Sequence, residues 1–187
     1  MKFNITLPYS TPGSANSVKV CEAICIRDPQ CAVSAMKEQG ADVRILKHRD
    51  SGSRMELKLA IHPHKDQVPL PIRTFAGDSG LDYIQKTTYD FSRHKGTMET
   101  VMTASGMADT ITSKGAFSLR PRFPARPASG LEWKIDGEVK ANVWVVGSTL
   151  ESAIVNEITS RSVKMAAHNQ KWLNKREVKK PRRSLAA

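Results

Sequence analysis

Apolar and polar residues alternate one by one over residues 2–9, where Phe3, Ile5 and Leu7 face one way and Lys2, Asn4 and Thr6 the other. That period of two predicts a strand with one apolar face. Pro12 and Gly13 break it. Over residues 15–27 the spacing turns helical: Val18, Cys21 and Cys25 share a face, with Ile24 beside them. Asp28-Pro29 predicts a fresh start, an Asp N-cap with proline at the first helical position. The second short helix carries Ala32, Val33, Ala35 and Met36, and Gly40 stops it.

After Gly40 the period of two returns. Val43 and Ile45 begin a strand, and Ser51-Gly52 reads as a hairpin turn. Met55, Leu57, Leu59 and Ile61 then share a face, with Arg54, Glu56 and Lys58 opposite. Such alternation is what an antiparallel sheet with one wet face requires. Three prolines between His62 and Pro71 predict a loop. Leu81, Tyr83, Gln85, Thr87, Tyr89 and Phe91 form the next inward set, and Lys95-Gly96 reads as a turn. Met98, Thr100, Met102 and Ala104 follow, closed by Ser105-Gly106, and then Ile111, Ser113, Gly115, Phe117 and Leu119. Pro121, Pro124 and Pro127 predict a mobile loop that ends at Gly130.

The longest strand comes next, with Trp133, Ile135, Val139, Ala141, Val143 and Val145 on one parity. Gly137 sits on that same parity and predicts a bend or bulge. Gly147 ends the strand, and Ser148-Thr149-Leu150-Glu151 has the spacing of a capping box. The helix it opens runs to about Leu173, a length of roughly 37 Å. Leu150, Ile154, Ile158, Met165, Ala166 and Trp172 make its apolar stripe, which is interrupted near Arg161. Disorder is expected beyond Pro181.

The order is strand, two short helices, about six consecutive strands and one long helix. This predicts an α+β fold in which a curved antiparallel β-sheet wraps the C-terminal helix. Short turns make the strands a meander, and the long helix is the only element able to cover their apolar face. Residues 1–174 form the domain and residues 175–187 a basic tail.

Composition changes this picture little. The 187 residues suit one domain. No apolar run approaches the roughly 20 residues of a membrane span, and the first eight residues lack the apolar core of a secretory signal, so a cytosolic home is expected. Cys21, Cys25 and Cys31, odd in number and crowded into one segment, predict reduced buried thiols, not a disulfide framework or a zinc site. Charge matters more. Lys171 to Arg183 holds seven basic residues against Glu177, a net +6 of the chain's +11. Lys175, Arg176, Lys179, Lys180, Arg182 and Arg183 are thus candidates for contact with an anionic partner, RNA or a membrane surface.

The candidate ligand-binding positions follow from parity. Met55, Met98, Met102 and Met165 suit a wall that adapts to an apolar ligand, or ordinary core filling. Leu57, Leu59, Phe117, Ile135, Val139, Ile154 and Ile158 complete the apolar lining. Gln85, Thr87, Thr100 and Ser113 are polar on an inward face and need partners, either a ligand's polar end or one another. Tyr83 and Tyr89 offer rings with a hydroxyl. His62 and His64 lack a third ligand for a metal. His168 is a solvated or satisfied histidine, or an acid/base candidate if it faces inward, and Arg73 is a surface cation or a partner for an anionic head group. No phosphate loop or nucleophile elbow is present, and no cofactor or metal is implied.

Four segments carry a resemblance: Asp28-Pro29 opening the second helix, Val68-Pro69-Leu70-Pro71 before a strand, Leu81-Asp82-Tyr83-Ile84-Gln85-Lys86, and Val143-Trp144-Val145-Val146-Gly147-Ser148-Thr149-Leu150-Glu151 leading to Gln170-Lys171-Trp172-Leu173. With the element order, they resemble the START-like (helix-grip, SRPBCC) superfamily over roughly residues 2–174, and within it the DUF2505 family. The family usually has a proline shortly before the Gly147 position, where this chain has Trp144-Val145-Val146. A fainter likeness is to PRELI-type phospholipid shuttles. The resemblance implies a β-α-α-β6-α fold around a hydrophobic tunnel. The expected function is binding, with or without transfer, of an apolar molecule such as a lipid, sterol or isoprenoid. The alternatives are an interaction protein docking through its basic tail and an enzyme of the cyclase or hydrolase type.

Overall fold

The computed structural model describes residues 1–9, 17–76, 81–103, 110–123, 130–144 and 146–177. Strand β1 (Lys2–Tyr9) is followed by α1 (Ser17–Cys21), which widens into a looser turn over Glu22–Ile26, and by α2 (Pro29–Glu38). Strands β2 (Ala41–Asp50) and β3 (Arg54–Pro63) form the first hairpin. A short turn of 3-10 helix (Lys65–Gln67) and α3 (Leu70–Ala76) lead to β4 (Tyr83–Asp90), β5 (Lys95–Met102), β6 (Ile111–Pro121) and β7 (Leu131–Ala141). The long helix α4 (Gly147–Glu177) comes last.

The seven strands among the described residues lie in one antiparallel sheet of order β1-β7-β6-β5-β4-β3-β2. Strands β2 to β7 form the expected meander, and β1 adds beside β7. Helices α1 and α2 therefore carry the chain from one edge of the sheet to the other. Asp28 caps α2 as its sequence predicts, accepting from the Gln30 amide at 3.0 Å. Helix α4 packs on β7, β1 and α2 along one side and on α3 near its start.

The register stacks inward residues in rows across the sheet. One row is aromatic. Tyr89 stacks on Phe117 (5.7 Å between centroids) and Phe117 on Trp133 (5.1 Å). Phe117 lies against Gly96, its neighbour across the β5–β6 pair. A side-chain carbon on Gly96 would collide with the Phe117 ring and the Thr88 carbonyl. Gly96 is therefore not a turn residue, as its position after Lys95 suggested. The turn occupies residues 91–94, where the Asp90 carboxylate accepts from the Ser92 amide (2.9 Å) and the Arg93 amide (3.2 Å).

Other expectations are corrected in the same physical language. Gly137 makes no bulge, because its pairing with β1 and β6 is regular. The Phe3 ring occupies the space its side chain would need. The register shift lies instead between Ile45 and Lys47, which leaves Leu46 exposed. The stretch from His62 to Pro71 is not all loop: β3 runs through Pro63, and α3 begins at Leu70. Val68-Pro69-Leu70-Pro71 thus opens a helix, not a strand, with proline tolerated in its first turn. Strand β7 ends at Ala141, before Val143. Ser148 lies inside α4, and the Glu151 carboxylate accepts from the Ala141 amide (3.0 Å) instead of closing a capping box. Helix α4 runs four residues past Leu173, to 31 residues.

Two outcomes follow. Gly96→Ala should destabilise the protein by about 1–3 kcal/mol through overpacking against Phe117, measured by urea unfolding. An unchanged midpoint would mean the Phe117 ring does not rest there. Glu151 is held below its ordinary carboxyl value, first by the Ala141 amide. A depressed carboxyl stabilises the fold fully above its unfolded pKa and ceases to do so as pH falls through the lower folded value. Glu151→Gln should therefore lower the melting temperature at neutral pH, and the gap should close as pH drops below about 4. A gap that persists in acid would contradict the carboxylate's role.

Candidate ligand cavity

A cavity of about 310 Å³ lies between the inner face of the sheet and α4. Its floor is built by strand parity. Strand β3 supplies Met55 and Leu57; β4 supplies Tyr83, Gln85 and Thr87; β5 supplies Met98, Thr100 and Met102. Phe117 and Ile135 enter from β6 and β7. The roof is α4, which presents Ile154, Ile158 and Met165 at helical spacing. Fourteen of the seventeen positions predicted from parity, Ser113 among them, are thus brought together. Leu59, Tyr89 and Val139 are not. All three are buried in side-chain packing away from the cavity, and the Tyr89 hydroxyl is already committed, donating to the Glu22 carboxylate at 2.9 Å.

Gln85, Thr100 and Ser113 form one row across β4, β5 and β6. They lie on three neighbouring strands, each two residues in from a strand end, and all line the cavity. Gln85 donates weakly to Thr87 at 3.4 Å. The Thr100 and Ser113 hydroxyls have no side-chain hydrogen bond among the described residues.

The model of the DUF2505 family, described as a protein of unknown function, matches residues 19–173. The chain belongs to that family. Solved structures with the same fold include TTHA0849 from Thermus thermophilus, at 8% identity with a TM-score of 0.59, covering 94% of this chain and 99% of that one. A conserved protein from Geobacillus kaustophilus is 11% identical with a TM-score of 0.52, over 94% and 96% of the two chains. Protein CV1439 from Chromobacterium violaceum is 14% identical with a TM-score of 0.52, over 90% and 97%. At such identities the likeness shows the fold alone, the helix-grip arrangement. No curated protein matches the chain.

Several lining residues of this DUF2505 chain escaped the sequence pattern. Val68 and Ile72 join the wall because α3 and the turn leading into it stand where a loop and a following strand were expected. Glu157, Arg161 and Ser162 line the roof, and Arg161 is the interruption in the apolar stripe. Its Nε donates to Glu157 Oε1 at 2.5 Å and its Nη2 to the Gln67 carbonyl at 3.3 Å. Both side chains of the pair are half-buried, with 22% and 26% exposure. Tyr83 lines the same region; burial pushes its hydroxyl pKa up, the Arg161 charge opposes that, and the Glu157 charge adds to it.

At the opposite end the polar groups satisfy one another. The Asn169 amide donates to the Tyr9 hydroxyl (3.3 Å), and the Cys31 thiol donates to Asn169 Oδ1 (3.3 Å). Cys25 also lines the cavity, and its neighbours Cys21 and Cys31, together with burial, push its thiol pKa up. All three cysteines are free and buried, so they pack as small inert groups.

The remaining candidates lie elsewhere. His62 pairs with Asp82, and His64 with Asp42 at 3.6 Å. Among the described residues no cluster of His, Cys, Asp and Glu is arranged to hold a metal. His168 is buried outside the cavity, bonded through Nδ1 to Glu38 at 2.9 Å. Arg73 is exposed on α3. Lys175 is exposed on α4 and Arg176 continues that helix, while Lys179, Lys180, Arg182 and Arg183, with the disorder expected beyond Pro181, lie outside the described residues. No helix among the described residues is long and apolar enough to cross a membrane.

Because the Thr100 hydroxyl has no side-chain partner among the described residues, Thr100→Val should leave stability within about 0.5 kcal/mol of wild type or raise it. A loss above about 1.5 kcal/mol in urea unfolding would show that the hydroxyl is structurally bonded.

Proposed function

We propose that this protein binds one apolar small molecule, of the lipid, sterol or isoprenoid kind, between its sheet and α4. The observation that carries the reading is the cavity itself. A dry core is packed to the density of an organic crystal, with few voids larger than a water, whereas about 310 Å³ is open here beneath α4, between mostly apolar walls. Ligand sites range from about 300 to 1,000 Å³ and combine apolar walls with a few polar groups. The volume sits at the low end, which favours one chain or one compact ring system over a two-chain phospholipid.

Five methionines line the wall, Met36, Met55, Met98, Met102 and Met165, and support an adaptable fit. Catalysis finds less support. Cys25 is a thiol raised in pKa, the opposite of an activated nucleophile, and the Glu157 carboxylate is engaged by Arg161.

The test is direct. Protein purified without detergent should release an apolar compound on solvent extraction, detected by mass spectrometry at near-stoichiometric yield. Met98→Trp should obstruct the cavity beside α4, reduce bound compound by roughly tenfold or more and retain a cooperative melt. If wild-type protein carries nothing and fails to take up the neutral fluorophore N-phenyl-1-naphthylamine, the reading is wrong.

A further inference from the structure

The two ends of the cavity differ in what they leave unused. At one end Asn169, Tyr9 and Cys31 are bonded to one another, Asn169 donating to the Tyr9 hydroxyl and accepting from the Cys31 thiol, and none carries a charge. At the other, Arg161 uses Nε on Glu157 and Nη2 on Gln67, so Nη1 has no partner among the described residues. Glu157 keeps its second carboxylate oxygen, and the Tyr83 hydroxyl has no hydrogen bond among the described residues. This end also retains exposure at the ion pair. A ligand's polar end is therefore best met here, with its apolar part running between Ile158, Met165 and Met98.

The charges decide which polar end. Arg161 and Glu157 cancel, and they offer one donor and one acceptor side by side. A hydroxyl fits both, accepting from Nη1 and donating to the carboxylate. A carboxylate ligand gains the same Arg161 donor but brings its charge beside Glu157, and like charges on neighbouring groups repel where solvent is partly excluded. We infer that the ligand is a neutral amphiphile with a hydroxyl head group, an alcohol and not the corresponding acid, seated between Glu157 and Arg161. This rests on the ligand-cavity reading above. The volume admits about ten water-sized groups, which suits a single decyl or terpenoid chain.

The experiment compares 1-decanol with decanoate in displacing N-phenyl-1-naphthylamine from the full chain at about pH 8, where the acid is ionised. Decanol should act at a concentration roughly tenfold lower than decanoate. Glu157→Gln keeps the size of the side chain and frees the Arg161 charge, so decanoate should equal or overtake decanol on that variant. Arg161→Gln should weaken decanol without restoring decanoate. Equal or tighter displacement by decanoate on wild-type protein overturns the inference while leaving the cavity reading intact, and this comparison needs no variant to fold. If the naphthylamine and both decyl compounds fail to bind wild type, the cavity reading itself falls and the inference with it.

Discussion

Seven strands about 4.8 Å apart span roughly 29 Å, while one helix with its side chains is about 10–12 Å wide. The inner face of this sheet is apolar in almost every row, so it has to be covered, and α4 is the only long helix among the described residues. The sheet can meet that demand only by curling around the helix. Where the two surfaces do not touch, side chains must fill the gap, and at the centre of the sheet they do not.

Three groups of residues show how the curl is accommodated. Gly96 and Gly137 lack side chains where Phe117 and Phe3 press on the strands. The aromatic rows of Tyr89, Phe117 and Trp133 then close one half of the interior. Helix α3 closes the other, with Val68 and Ile72 packed in a second cluster with Leu81, Met102, Ile111 and Leu150. The cavity lies between these two cores, beneath the turn of α4 where Glu157 and Arg161 replace apolar residues. That replacement is tolerated because the two charges satisfy each other and remain half-exposed; an unpaired charge at that depth would carry a large desolvation penalty.

Polarity follows the same division. Where packing is complete, several polar groups have protein partners: Tyr89 with Glu22, and Asn169 with Tyr9 and Cys31. Where packing is incomplete, the Tyr83, Thr100 and Ser113 hydroxyls are left without a side-chain partner among the described residues. Unsatisfied polar groups on an otherwise apolar wall weaken a fold and serve a binding site, a balance common where function and stability compete.

Strand parity by itself determined which side chains face inward, because residues alternate faces wherever the backbone is extended. That is why Met55, Gln85, Thr100 and Phe117 were legible from the chain alone, and why the meander and its covering helix were too. Parity carries no information on depth, so Leu59, Tyr89 and Val139 looked no different from the residues that line the cavity. Local signals also misled where tertiary contacts outweighed them. Gly96 and Gly137 resembled a turn and a bulge but make room for aromatic rings, the prolines from 63 to 71 hid α3, and Glu151 left its capping box for the end of β7. Arg161 stood out in the sequence only as a break in an apolar stripe, although its spacing from Glu157 on one helix permits a pair. Only the tertiary structure decided that the pair faces a space the side chains leave open, since the fit of a helix into a curved sheet depends on residues far apart in sequence.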